Sequence, residues 1–246
     1  MRVISLVPSL TEAVAVTVPG VLVGATDWCS HPADLGADVV RVGGTKNPEV
    51  GRIVELAPDL VVANEEENRE PDLAALRAAG IEVLLTEVRD VPQAFRELAR
   101  VVTACGAGSR PRWLDEAETA WSAPERWRAA DSGRTTAVVP IWRRPWMVLG
   151  RDTFAGDVLA RLGVDNAYAG HAERYPRVPV EELRAAARTG MVVLPDEPYR
   201  FTAEDGPEAF EGLPCALVSG RHLTWYGPSL AAAPRVLGAA LRAAHR

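Results

Sequence analysis

Cysteine, histidine and long apolar runs are all scarce in this sequence, and each shortage argues against a class of protein. The three cysteines, Cys29, Cys105 and Cys215, are far apart and form no C-x-x-C pair. A disulfide framework and a structural zinc site are therefore not expected, and buried free thiols are. No apolar run approaches the roughly 18–20 residues of a membrane-spanning helix, so no membrane span is expected.

Motifs for metal binding and catalysis are absent as well. No two histidines stand at i,i+2, i,i+3 or i,i+4, so no metal ligands are assigned. A lone axial histidine to a ligand-borne metal stays open for His31 or His171, beside the reading of both as surface residues. No G-x-S-x-G elbow, G-x-G-x-x-G frame or Walker A motif occurs, so no catalytic residues are assigned.

Charge and the first residues bear on partners and location. The 246 residues carry a net charge of −6 with no block of Lys or Arg, which argues against nucleic acid or an anionic membrane as a partner. The opening MRVISLVPSL is typical of a strand and a turn, not of a secretory signal. The chain as given is expected in the cytoplasm, or outside it if a signal was trimmed.

The first hundred residues alternate apolar strands with amphipathic helices, which favours a parallel, doubly wound sheet. A capping box formed by Ser9 and Glu12 predicts a helix start at Ser9. Gly80 is a natural helix stop. The predicted strands are 2–7, 21–26, 39–43, 60–63 and 82–86, and the predicted helices after the first are 48–57, 72–79 and 91–104.

The last hundred residues repeat this alternation. The predicted strands are 135–141, 191–194 and 216–219, and the predicted helices are 152–162, 180–187, a weak 203–210 and 229–244. Ligands bind outside the carboxyl ends of such strands.

The polar stretch Gly106–Ala130 lies between the two alternating regions and is interpreted as a helical bridge. Ser109 is expected to cap a helix that runs to about Trp121, and Pro124, inside a second S-x-x-E, is expected to kink or restart it. The sequence thus predicts an α/β fold of two Rossmann-like lobes with parallel sheets, joined by a long bridging helix. The predicted boundaries are 1–105, 106–131 and 132–246, with the functional site in the cleft between the lobes.

Aromatic and cationic residues gather in the loops that follow the predicted strands. Aromatics offer stiff apolar area and arginines pair with anionic groups, which suits a bulky ligand with an apolar body and an anionic or amide periphery. The alternative is that half of the tryptophans pack under loops. The acidic run Glu65-Glu66-Glu67 is either a solvated loop or a cation or general-base site.

The order and spacing of several segments resemble a known family. The segments are RVISLVPSLTE from Arg2, GGTKNP from Gly43, WRRPWMVLGRDTF from Trp142, YPRVPVEEL from Tyr175 and LTWYGPSL from Leu223. They are similar to the helical-backbone metal receptors, the class III solute-binding proteins for cobalamin and ferric siderophores. The resemblance spans nearly the whole chain.

The resemblance implies a non-enzymatic, monomeric protein with no intrinsic cofactor. It would hold a metal chelate, cobalamin or a ferric siderophore, and deliver it to an ABC permease docked through Glu49 and through Glu181 or Glu182. A cytoplasmic enzyme or cofactor-handling protein on the same scaffold is the alternative, and a receptor for a bare metal ion is a third hypothesis. By position, the ligand-binding residues would be Pro8, Ser9, Asp27, Trp28, Thr45, Lys46, Glu65, Glu66, Asn68, Trp142, Arg143, Arg144, Trp146, Tyr199, Arg200, Trp225 and Tyr226.

Overall fold

The computed structural model describes residues 1–124 and 133–244. These residues form two compact units, and neither unit is one continuous segment. The first unit comprises residues 1–88, 92–116 and 226–228, and the second comprises residues 89–91, 117–225 and the chain from 229 onwards.

The first unit is built on a five-stranded sheet in the order β3-β2-β1-β6-β7, in which every neighbouring pair is parallel. Its core packs Ile4 and Val61 of the central strands against Ile53, Leu73 and Leu76 of the helices. The elements are β1 Val3–Ser5, α1 Pro8–Thr17, β2 Leu22–Ala25, β3 Val40–Arg41, β4 Gly43–Gly44, β5 Asn47–Pro48, α2 Val50–Glu55, β6 Leu60–Asn64, α3 Glu70–Ala78, β7 Glu82–Thr86 and α4 Val91–Ala104.

The second unit is built on a four-stranded parallel sheet in the order β11-β8-β12-β13, with the antiparallel pair β9–β10 beside it. Its core joins Val138, Val192 and Leu194 of the strands to Leu183 and Phe210. The elements are α5 Arg112–Ser122, which begins in the first unit, then β8 Thr135–Val138, β9 Pro140–Trp142, β10 Met147–Val148, α6 Phe154–Arg161, β11 Val164–Asn166, α7 Val180–Ala187, β12 Met191–Pro195, a 3-10 turn Pro207–Phe210, β13 Cys215–Val218, α8 Gly220–Thr224, a 3-10 turn Pro228–Ala231 and α9 Ala233–Ala243.

The predicted fold class is confirmed, because both sheets are parallel and each carries helices between its strands. The predicted bounds of β7, α4 and α7 agree with the structure residue for residue. Gly80 ends α3 with a φ of +81°, a left-handed conformation that glycine adopts without steric cost. Across the described residues, no helix combines the length and apolar character that a membrane crossing requires.

The predicted starts of α1 and α2 are both wrong, and a proline lies at each of them. Ser9 does not cap α1, because Pro8 occupies the first turn with its φ already helical and moves the N-cap back to Val7. Pro48 does not begin α2 but pairs with Gly43 in the hairpin β4–β5, so that the helix begins at Val50.

The predicted bridge is only partly within the described residues. Helix α5 begins at Arg112, so the predicted cap at Ser109 is wrong. Trp113 donates its indole N–H to Thr17 Oγ1 at 3.0 Å in the first unit, and Trp121 donates to the Leu230 carbonyl at 3.0 Å in the second. The predicted helix beyond Pro124 falls on residues 125–132, outside the described residues, and the domain boundaries stay predictions.

The turn between α7 and β12 provides a stability test. A Cβ atom on Gly190 would lie 1.9 Å from the carbonyl oxygen of Thr136, whereas nothing lies within 4 Å of one on Gly51. Gly190→Ala is therefore expected to destabilise the protein by about 1–3 kcal/mol, because the backbone must move apart. Gly51→Ala, in the exposed α2, is the matched control and is expected to be neutral or slightly stabilising. Urea unfolding measures both, and equal midpoints would contradict the close approach.

Candidate functional site

Each sheet has a point at which the order of its strands reverses. In the first unit the chain leaves β1 towards β2 and later returns on the other side as β6. In the second unit it leaves β8 towards β11 and returns as β12. Crevices at the carboxyl ends of such neighbouring strands are where open α/β sheets bind ligands.

The predicted site residues lie at these carboxyl ends. We call the loops of the first unit the first rim and those of the second unit the second rim. The first rim carries Pro8, Ser9, Asp27, Trp28, Thr45, Lys46, Glu65, Glu66 and Asn68, and the second rim carries Trp142, Arg143, Arg144, Trp146, Tyr199, Arg200 and Trp225. Tyr226 groups with the first unit.

Asn68 ties three loops of the first rim together. Its Nδ2 donates to the Thr45 carbonyl at 2.9 Å and to the Leu6 carbonyl at 3.3 Å. Its Oδ1 accepts from the Asn64 amide at 2.9 Å. Because Asn68 is buried with both ends of its amide engaged, it orders the loops after β1 and β6 and the tip of the β4–β5 hairpin. Its predicted contact with a ligand stays a prediction.

Trp28 is the most exposed large apolar side chain of the first rim, with 69% of its surface accessible. Its indole nitrogen lies 3.5 Å from the position that a Cβ on Gly44 would take. The indole therefore lies beside the start of the β4–β5 hairpin, whose two-residue tip is Thr45-Lys46. Lys46 Nζ in turn donates to the Glu66 carbonyl, which joins this tip to the loop after β6.

The loop that carries Trp28 is anchored to the protein interior by the next residue, Cys29. The buried Cys29 Sγ lies 3.0 Å from Thr11 Oγ1 and 3.2 Å from Thr26 Oγ1. Arg41 donates to the carbonyls of Thr26 and Cys29 at 2.7 and 3.1 Å. Burial raises the pKa of the Cys29 thiol, so Cys29 acts as an uncharged hydrogen-bonding anchor. Trp28 is thus an exposed ring on a fixed backbone.

The acidic run after β6 is not uniformly solvated. Glu65 is exposed, while Glu66 and Glu67 are partly buried. Burial around the Glu67 carboxyl group raises its pKa, Lys46 opposes this shift and Glu66 adds to it. Glu67 was part of the predicted acidic run but not of the predicted site residues.

The second rim contains a cluster of aromatic rings, and its residues are brought together from both sides of the reversal point. The Trp142 and Tyr199 rings meet edge to face, with centroids 5.7 Å apart. Trp146 stacks on Phe201 at 6.0 Å, and Tyr199 lies 4.7 Å from Phe201. Trp142 remains 43% exposed, so one ring of the cluster is accessible to a ligand.

The three arginines of the second rim differ in their surroundings. Arg143 forms ion pairs with Asp205 and Glu208 and lies 5.2 Å from the centroid of the Trp146 ring. Arg144 and Arg200 are exposed and form no ion pair within the described part of the chain. Arg144 and Arg200 are therefore the accessible cations of this rim, although the charge of Arg144 also acts on Asp205 and contributes to lowering its pKa.

Several predicted site residues offer little surface. Trp225 and Tyr226 are 8% and 7% exposed, and Trp225 donates its indole N–H to Glu197 at 2.8 Å. Ser9 is buried within α1. Trp225 is buried, as the alternative of tryptophans packed under loops expects, whereas Trp28 and Trp142 are exposed. Ligand contacts for the buried residues stay predictions.

His171, considered above as an axial ligand to a ligand-borne metal, has one ring nitrogen engaged within the protein. His171 Nδ1 accepts the Glu173 amide hydrogen at 3.0 Å, which places the proton of a neutral ring on Nε2. A metal would need the lone pair that this tautomer lacks at Nε2. No cluster of three or more His, Cys, Asp or Glu side chains suited to a metal ion is found in residues 1–124 and 133–244.

The glutamates that the resemblance implies for permease docking are all on the surface. Glu49 is exposed at the start of α2 and pairs with Arg52 at 3.6 Å. Glu181 and Glu182 are exposed in the first turn of α7.

Comparison with known proteins supports a class of ligand-binding proteins with this architecture. A family model described as periplasmic binding protein matches residues 3–210. A vitamin B12-binding protein from Pectobacterium atrosepticum is 23% identical over 194 residues, which cover 74% of this chain and 67% of that protein. The chain thus matches about two thirds of the length of this curated relative.

Two solved structures share the fold along the full chain. A periplasmic heme-binding protein from Roseiflexus sp. RS-1 superposes with a TM-score of 0.81 at 21% identity, covering 100% of this chain and 99% of that one. The periplasmic vitamin B12-binding protein of Vibrio cholerae gives 0.77 at 18% identity, covering 100% and 98%. The chain belongs to the periplasmic binding protein family, and the predicted resemblance to its class III members is confirmed.

The residues that sequence reasoning missed are those that hold the rims in place. Arg41, Thr11 and Cys29 fix the Trp28 loop, and Asp205 and Glu208 receive Arg143. Arg143 and Asp205 are 62 positions apart, so no local spacing could reveal their pairing.

Glu67 gives a test that depends on pH. Because its pKa is raised in the folded protein, the folded state holds this proton more tightly than the unfolded chain. The carboxylate therefore opposes folding as pH rises above the usual glutamate pKa of about 4.3. Glu67→Gln should raise the thermal midpoint at pH 7 and lose this advantage near pH 4.

The control for this experiment is Glu65→Gln, at an exposed position of the same loop. It is expected to change stability by no more than about 0.5 kcal/mol. A Glu67→Gln protein that is less stable than the wild type at pH 7 would show that the carboxylate is favourably paired.

Proposed function

We propose that this protein binds a metal chelate with a broad apolar body and holds it without chemical change. The candidate ligands are a corrinoid such as cobalamin, a ferric siderophore and heme. The observation that carries the proposal is the exposure of Trp28 and Trp142 on fixed loops at the carboxyl ends of the parallel strands. Rigid exposed aromatics at such positions supply stacking area at little entropic cost.

Membership of the family supports binding as the activity. The relatives named above are binding proteins for vitamin B12 and heme, both of which bring their own metal inside an organic ligand. This agrees with rims that present aromatic rings and single cations instead of a set of metal ligands. The metal would be part of the cargo, and the protein would contribute the surface that recognises the chelate.

Delivery to an ABC-type importer is the second part of the proposal. Glu49 and either Glu181 or Glu182 are exposed on helices of different units and would pair with basic residues of a permease. Such a role would require the protein to act outside the cytoplasm, in agreement with the description of its family as periplasmic. A protein that acts alone, as we propose here, would be a monomer.

The decisive experiment is a titration with cyanocobalamin, hemin and ferric desferrioxamine, followed by tryptophan fluorescence. We expect one ligand to quench the fluorescence with a dissociation constant of about 1 µM or lower, which corresponds to roughly −8 kcal/mol. Mass spectrometry of the recovered ligand separates binding from turnover, because an enzyme would return an altered chelate. No binding by any of the three would overturn the proposal.

Tryptophan variants place the bound ligand on the rims. Trp28→Leu and Trp142→Leu should each weaken binding by about tenfold, the loss expected for one aromatic contact with its buried area. Trp113→Phe on α5 is the control and should bind as the wild type does. Lys46 is the single lysine of the sequence. If the ligand binds at the first rim, it should protect the Lys46 amine from an added acylating reagent, which gives a further local readout.

The accessible arginines predict how affinity depends on ligand charge. Arg144→Gln and Arg200→Gln should each weaken a carboxylate-bearing ligand such as hemin by roughly two- to fivefold, since exposed ion pairs contribute modestly. The loss should shrink in high salt, and cyanocobalamin, which is neutral overall and has mainly amide groups at its periphery, should be affected less than hemin. Arg188→Gln, at the exposed end of α7, is the matched control. An equal loss for neutral and anionic ligands would contradict charge recognition.

A further inference from the structure

The side chain of Arg143 is mostly buried and paired with two carboxylates of the second unit. One terminal nitrogen contacts Asp205, the other lies 2.5 Å from Glu208, and the side chain is 16% exposed. The guanidinium carbon Cζ lies 5.2 Å from the centroid of the Trp146 ring. A ligand at this guanidinium would have to compete with two carboxylates that are already in place.

The two carboxylates also offset the positive charge of Arg143. One cation is matched by two carboxylates, so Arg143, Asp205 and Glu208 together carry a net charge of −1. Hydrogen bonding from Tyr199 and attraction to Arg143 lower the pKa of Asp205. Burial alone would raise the pKa of Glu208, but hydrogen bonds from the Gly206 amide and Arg143 lower it. Both groups therefore stay ionised near neutral pH.

The same carboxylates connect Arg143 to the exposed aromatic ring. Asp205 accepts the Tyr199 hydroxyl hydrogen at 2.6 Å on its second oxygen. Tyr199 then meets Trp142 edge to face. The path leads from Arg143 through Asp205 and Tyr199 back to Trp142, the residue that precedes Arg143 in the chain. These contacts therefore connect the β9–β10 hairpin to the loop after β12 at two points, Arg143 and Trp142.

The carboxylates are themselves held by a tight turn. The amides of Glu204 and Asp205 donate to Thr202 Oγ1 at 3.2 and 3.1 Å, and the Gly206 amide donates to Glu208 at 2.5 Å. Gly206 has a φ of +132°, and a Cβ there would lie 2.7 Å from the Phe201 ring. Glycine is required at this point, and the turn holds the two acceptors independently of Arg143 through these backbone hydrogen bonds.

We infer that Arg143 is a positioning residue that holds Trp142 and Tyr199 as a preformed aromatic platform, while Arg144 and Arg200 meet the anionic groups of the ligand. This inference rests on the proposed function. It differs from the expectation that Arg143 itself binds the ligand, and it assigns the selectivity for ligand charge to its neighbours. Arg143 raises the affinity for any chelate that stacks on Trp142, whatever the charge of that chelate.

The test compares Arg143→Gln with Arg144→Gln in the full chain, using cyanocobalamin as a neutral chelate and hemin as an anionic one. Arg143→Gln should weaken every ligand of the panel that binds by the same factor, about tenfold, since an ordered aromatic platform is lost. Arg143→Lys should recover part of this loss, because it keeps one ion pair but lacks the planar fork. Where both ligands bind, a loss confined to hemin would overturn the inference. Where only one binds, a loss that disappears in high salt would overturn it.

A readout without ligand separates this inference from the proposed function. Hydrogen exchange followed by mass spectrometry should show faster exchange of residues 140–148 and 199–210 in Arg143→Gln, with the first unit unchanged. Tyr199→Phe removes only the hydroxyl and should reproduce part of this increase. If the wild-type protein binds no chelate, the proposed function fails while the exchange result still decides whether Arg143 orders the platform. Unchanged exchange in both variants would overturn it.

Discussion

Parallel pairing of strands is the constraint on which the rest of this protein depends. When all strands of a sheet run in one direction, every loop that follows a strand emerges at the same edge. Residues as distant in sequence as Pro8, Trp28 and Asn68 thereby come to one edge of the first sheet. The strand order reverses next to β1 and again next to β8. At each reversal the two neighbouring loops lead to opposite sides of the sheet, which leaves a crevice between them. Site formation is therefore a result of topology first and of side-chain chemistry second.

The polar groups within the rims act mainly on each other. Asn68 uses both ends of its amide on the backbone of neighbouring loops, and Arg143 is matched with two carboxylates. Buried polar groups of this kind are costly when unpaired and rigidify their surroundings when satisfied. The result is a pair of rims in which the apolar rings Trp28 and Trp142 are exposed while the polar residues beside them are fixed. That division suits recognition of a stiff ligand by surface complementarity.

Sequence patterns predicted the fold class and the longer amphipathic helices, because the periods of α4 and α7 persist over enough residues to be unambiguous. They failed where an element is short or depends on distant partners. Helix α8 and the strands β9, β10 and β11 have at most five residues each, and their backbone is set by packing. The position of most site residues followed from strand ends. Strand ends did not predict which of these residues are exposed. Trp225 is hydrogen-bonded to Glu197, and Arg143 is paired with Asp205 and Glu208, all of them distant in sequence.

The interleaving of the two units has a consequence for how the protein is made. Residues 226–228 belong to the first unit although nearly all of the second unit precedes them, and a Cβ on Gly227 would lie 3.0 Å from the Ser9 carbonyl. A ribosome therefore finishes the first unit only after it has synthesised most of the second. Until then the first unit lacks the contacts made by residues 226–228, so its final packing is delayed until most of the chain has been synthesised.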